Sequence, residues 1–169
     1  ENIVDEEKGV YNKEDGSINE ELTFKMLDEA YNRGVNYYDT AYPYHGGESE
    51  RVVGKWLQTK DRDSLYVVSK MPIWKLETPE DFDRILNEQL EKLQTDHLDF
   101  YLMHALNQER WATIKNFKLL EKAEKARAEG KIKRLGFSFH DEYPVFEEII
   151  NAYDWDFCQI QFNYMDTQV

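Results

Sequence analysis

The spacing of apolar residues changes repeatedly along the chain. Stripes three and four residues apart, as on one face of a helix, alternate with short β-branched and aromatic runs typical of strands. Ser17 and Glu20 read as a capping box for a helix whose buried stripe is Leu22, Met26, Leu27 and Ala30, ended by Gly34. "VNYYDTA" follows as a strand, and Ser49 then caps a helix turning Val52, Val53, Trp56 and Leu57 inward. "SLYVVSK" is the second strand. Thr78 and Pro79 open a helix carrying Phe82, Ile85, Leu86, Leu90 and Leu93. After the strand "LDFYLMH", one long helix is predicted from Gln108 to Ala128, stopped at Gly130. "KIKRLGFSF", a helix from Pro144 to Tyr153, and "FCQIQFNY" complete the pattern. Five strands alternating with helices at about 30 residues per unit make an α/β chain with a parallel sheet. Residues 1–16, polar and turn-rich, are expected to form an exposed loop or lid ahead of one domain over 17–169.

Composition narrows what such a domain could do. A formal net charge of -13 over 169 residues repels polyphosphate, and only short basic clusters such as Lys131 to Arg134 interrupt it, which argues against nucleic-acid binding. No apolar run approaches the roughly 20 residues of a membrane span. The single Cys158 offers neither an internal disulfide nor a CxxC metal site and fits a reducing compartment, so a cytoplasmic location is expected. The first residue is Glu1 rather than Met, and Val169 closely follows a strand-like run, as in an excerpt of a longer chain.

Polar side chains gather at the strand ends. Asp39 closes the first strand, Lys70 the second and His104 the third; Ser138 and His140 close the fourth; Gln159, Gln161 and Asn163 lie along the fifth. In parallel α/β folds the carboxyl ends of the strands share one face, and that face carries the chemistry. Each residue alone has a plain structural role open to it: a turn cap for Asp39, a snorkelling lysine at Lys70, a core histidine at His104, loop packing at Tyr44. Together they suit proton delivery to an oxygen that gains negative charge. A phenol is a weak acid with a reference pKa near 10. An ammonium at Lys70 would favour its anion, and Asp39 would hold that ammonium in place. His104 could hydrogen-bond and orient a substrate carbonyl, the arrangement that reduction by hydride requires.

The stretches "GVNYYDTAYPYHGGESERVVGKWL", "YVVSKMPIW", "LDFYLMHALNQERW", "GKIKRLGFSFHD" and "FCQIQFNY" together resemble the aldo-keto reductases, over roughly residues 20 to 165. The resemblance implies a (β/α)8 TIM-barrel fold with only about five βα units present. It implies an NADPH or NADH cofactor, a small carbonyl or alcohol substrate, and a tetrad of Asp39, Tyr44, Lys70 and His104 with Tyr44 as proton donor. It also implies that Ser138 and Gln159 lie near the nicotinamide carboxamide. Many family members have Ser-Asn on the fourth strand; here Phe139 and His140 follow Ser138, so His140 either joins that contact or caps the next helix. "HALNQERW" and "GFSFHD" look most like the branch whose longer members carry a C-terminal iron-sulfur, ferredoxin-like segment, implying possible 4Fe-4S clusters in a segment not present here.

Length bears on the reading as well. A (β/α)8 barrel usually takes about 250 residues, and the family pattern lacks its first strand and last two here. With two open sheet edges, the chain could instead be a non-catalytic fragment acting as an interaction or folding unit. A third reading, a metal-dependent hydrolase using Asp39, Glu48, His104 and His140, has strand-end ligands in its favour and the Lys70 charge against it. Tyr42, Trp74 and Trp111 are either packing residues or pocket wall.

Overall fold

The computed structural model describes residues 17–162 and 165; the expected lid over residues 1–16 and the strand-end candidate Asn163 lie outside them. Helix α1 (Glu20–Asn32) precedes strand β1 (Tyr37–Asp39), followed by α2 (Ser49–Leu57) and β2 (Tyr66–Met71). Then come α3 (Asp81–Leu93), β3 (Leu98–Leu106), α4 (Gln108–Asn116), α5 (Leu119–Ala128), β4 (Ile132–Phe139), α6 (Tyr143–Asn151) and β5 (Phe157–Gln159). The five strands pair in sequence order, each parallel to the next, and the sheet curls as an incomplete barrel with helices on its outer face.

Because side chains alternate along a strand, the two faces have separate tasks. Val67, Met71, Tyr101, Met103, Leu135 and Phe137 point outward into a core shared with Trp56 of α2 and Phe82, Ile85, Leu86 and Leu93 of α3. Burying each such side chain contributes about 1.5–3 kcal/mol, which fixes the register that sets the other face. On the inner face three layers succeed one another, as in closed parallel barrels. The bottom layer is aromatic, with Tyr37, Tyr66 and Phe157 each within 5.8 Å of the Phe100 ring centre. Val68, Leu102 and Gly136 form the middle; a Cβ at Gly136 would collide with Phe157, so glycine admits that ring. Asp39, Lys70, His104, Ser138 and Gln159 are left at the top.

Several predicted boundaries shift. α1 is capped by Asn19, whose Oδ1 accepts from Leu22 N at 3.2 Å, rather than by a Ser17 capping box; asparagine is as good a cap as serine and stands immediately before the helix. None of its residues is fully buried. Ser49 is the first residue of α2, not its cap. α3 starts at Asp81, whose carboxylate accepts from the backbone N–H of Glu77 and Thr78, both at 2.9 Å. The single long helix is two, broken at Lys118 in the left-handed conformation with φ of 52°. β5 is shorter than the predicted run.

Candidate active site

The loop after β1 carries Tyr44 over the strand ends. His45, Gly46 and Gly47 have φ of 51°, 66° and 96°, a left-handed run that reverses the chain before α2, and glycine is the residue that adopts it without steric cost. A hydrogen bond of 2.8 Å between the Thr40 and Ser49 hydroxyls ties the loop's two ends together.

Lys70 is 2% exposed. Its ammonium donates to the Asp39 carboxylate, to Thr40 O at 3.0 Å and to the Tyr44 hydroxyl at 3.2 Å. A lysine ammonium has three N–H groups and no acceptor, so each has a partner. Because Lys70 donates to the Tyr44 oxygen, the phenol's own proton is free to point elsewhere. Tyr44 is 38% exposed, with its ring 6.1 Å from that of His104 and nearly perpendicular to it.

His104 stands where β3 is irregular. The register with β4 shifts between Met103 and Leu106, and Ala105 has φ of 51°. Ser138 Oγ accepts from Ala105 N at 2.7 Å and pins this bulge. Burial first, then the charges of Lys70, Arg110 and His140, push the His104 imidazole down to about 4, so the ring is neutral at pH 7. Its Nδ1 is buried with no hydrogen-bond partner among the described residues.

The structure thus brings Asp39, Lys70, Tyr44 and His104 together. Ser138 is buried and in register with Gln159, which is exposed. His140 does not cap α6, whose N-cap is Glu142; its backbone N–H instead donates to Leu106 O at 3.1 Å. Among the described residues no three or more of His, Cys, Asp and Glu gather as metal ligands, so the set proposed for a hydrolase is not assembled. Of the three doubtful aromatics, Trp111 is packing: it is buried, with its indole N–H on Glu148 at 2.8 Å. Tyr42 bonds Glu88 at 3.2 Å, away from the tetrad. Trp74 is 44% exposed beside His104, with ring centres 5.1 Å apart.

Two groups were not singled out by the sequence. Beneath Lys70, Glu50 accepts from Ser69 Oγ at 2.5 Å and Gln89 Nε2 at 2.6 Å; Gln89 also donates to Lys70 O at 3.0 Å, and Tyr101 donates to Gln89 Oε1 at 2.6 Å. Burial raises the Glu50 carboxyl, opposed by those hydrogen bonds and by Lys92. The available signal was Gln89, a polar residue inside the apolar stripe of α3. The second group is Arg110, whose guanidinium lies 4.8 Å from the centre of the Trp74 ring.

A parallel barrel sheet whose strand ends unite a buried lysine and its aspartate partner with a tyrosine and a neutral histidine defines the class. The model of the aldo/keto reductase family matches residues 9–169, and the chain belongs to that family. It is 30% identical over 106 residues to an NADP(+) aryl-alcohol dehydrogenase of Phanerodontia chrysosporium, a match covering 53% of this chain and 28% of that protein. A thermostable aldo-keto reductase solved with the inhibitor epalrestat is 27% identical, with a TM-score of 0.70 over 87% of this chain and 52% of that one. The Klebsiella pneumoniae aldo-keto reductase solved with NADPH is 28% identical, with a TM-score of 0.65 over 85% of this chain and 46% of that one. The chain therefore spans about half the length of these solved relatives, and its matched stretch about a quarter to a third of the curated ones.

Proposed function

We propose that this chain carries the carbonyl-reducing site of an NAD(P)H-dependent reductase. The observation that carries the reading is the engagement of all three Lys70 N–H groups, one of them on Tyr44. A bound nicotinamide would supply hydride to the carbonyl carbon, leaving oxidised cofactor and, after one proton is added to oxygen, an alcohol. Tyr44 gives that proton, and the adjacent ammonium stabilises the phenolate left behind. Asp39 pairs with Lys70 and holds it in place. Neutral His104 hydrogen-bonds the carbonyl oxygen and cannot itself be the donor near pH 7, because it holds no acidic proton there.

The residues present fit a nicotinamide carboxamide. Ser138 Oγ accepts from Ala105 N and keeps its own O–H for donation, Gln159 stands beside it in register, and the buried Nδ1 of His104 has no partner among the described residues. Ser138 and Gln159 would hold the amide, with His140 close to His104. The names of the relatives favour NADPH over NADH. The iron-sulfur branch rests on "HALNQERW" and "GFSFHD" alone, and its clusters would be held by thiolates of a segment outside these residues.

The test is Tyr44→Phe. NADPH oxidation with an aryl aldehyde should fall by about 10²–10⁴-fold, the usual worth of a general acid, while the Kd for NADPH stays within about twofold. Unchanged turnover would remove Tyr44 from the reaction. The reading of the 169 residues as an interaction or folding unit is favoured by the exposed aromatics Tyr37 and Tyr66 on the inner face. That reading requires the wild-type chain to bind no NADPH.

A further inference from the structure

We infer that Arg110 is a recognition site for a carboxylate borne by the carbonyl substrate, an inference that rests on the reductase reading for the identity of the second functional group. The chain has seven arginines among its described residues, in an excess of acids that gives nearly every cation a partner. Arg33, Arg51, Arg62, Arg84 and Arg127 each lie within 4.0 Å of a carboxylate. Arg110 and Arg134 do not. Arg134 lies over Phe100 in the bottom layer, remote from the strand ends. Arg110 is at the top, half-buried, with its guanidinium on the Trp74 ring and one N–H group donated to Ala105 O. A guanidinium has five N–H donors in a planar fork that matches a carboxylate. Four of those in Arg110 have no hydrogen-bond acceptor among the described residues.

Position supplies the rest. Trp74 is the common neighbour: one contact is Arg110 and the other is His104, the group placed to orient the carbonyl. An aromatic or short aliphatic carbonyl compound lying along the exposed Trp74 ring would present its carbonyl to Tyr44 and His104 and its acid to Arg110. Lys70 adds positive charge beside His104, and Asp39, the acid in contact with Lys70, is already neutralised by it. A phosphate of the cofactor is the other source of an anion. Ser138 and Gln159 put the nicotinamide against β4 and β5, whereas Arg110 and Trp74 follow β3 and β2, so the geometry favours the substrate.

The experiment compares 4-carboxybenzaldehyde with its uncharged methyl ester, using the Trp74 indole N–H resonance as the readout, so that binding is read without turnover. The acid should bind the wild-type chain at least tenfold more tightly than the ester. Arg110→Gln should weaken the acid roughly tenfold to hundredfold, the range of a hydrogen bond to a charged group, with the ester unchanged and Arg110→Lys retaining part of the preference. Equal affinity for acid and ester in the wild type, or an acid preference that survives Arg110→Gln, overturns the inference. So does a weakened Kd for NADPH in Arg110→Gln, which would assign the residue to a cofactor phosphate. Carboxylate binding through Arg110 without NADPH-dependent reduction of either aldehyde would uphold the anion site and count against the reductase reading instead.

Discussion

His104 shows at the residue scale how the sheet sets chemistry. Its imidazole ordinarily titrates at 6.5 and is driven to about 4 in the folded chain. The unfolded chain therefore takes up a proton on lowering pH through 6.5 that the folded chain refuses until about 4. Between those values the unfolded state binds more protons, so stability falls as pH falls. Denaturant midpoints measured from pH 7 down to 4 should decline, and His104→Phe, which has no proton to gain, should flatten part of that slope; equal slopes would mean the ring is not depressed. The strand-end set of Asp39, Lys70 and His104 was legible in the sequence because each follows an apolar run that had to be a strand. Arg110 was not, since it lies within a helix beside ordinary polar neighbours, and its significance depends on which ring it covers.

Elements were legible in type and order, and misread at their ends. The predicted single helix over 108–128 contained its own contradiction. Trp111 and Ile114 belong to one buried stripe, and Leu119, Ala123 and Ala126 to another; the five-residue step from 114 to 119 does not fit a 3.6-residue period. Lys118 absorbs the mismatch by turning left-handed. The same scale governs how α2 meets α3. Gly54 faces the backbone of Lys92 and Leu93, where an added Cβ would collide with main-chain atoms that cannot swing aside. Gly54→Ala should cost about 1–3 kcal/mol through forced separation of the helices, read as a lower midpoint in urea unfolding. Since Glu50 on α2 and Gln89 on α3 both hold β2 at Ser69 and Lys70, that separation would also loosen the strand under the site. A gain in stability would contradict this packing account.

For the whole molecule, the parallel sheet followed from the alternation of patterns, while its curl and its three inner layers did not. These depend on how strands stagger against one another, and residues such as Gly136 and Phe157 interlock only once that stagger exists. The acidic composition was plain, but where the exceptions would gather was not. The chain is acidic by 13 charges, yet Lys70 and Arg110 converge on the His104 ring. An anion approaching from solution meets repulsion from the whole surface before it reaches those few cations. Repulsion between exposed charges is largely screened beyond about 8 Å at 0.15 M ionic strength, whereas contacts in a half-buried cup are screened much less. Raising the salt from low to physiological levels should thus quicken the capture of NADPH in stopped-flow fluorescence, opposite to the slowing expected of a site steered by long-range attraction. An association rate that drops with added salt would show the local cations prevailing at distance. A rate that rises with salt would instead make the acidic surface a gate against anions, one that physiological ionic strength opens.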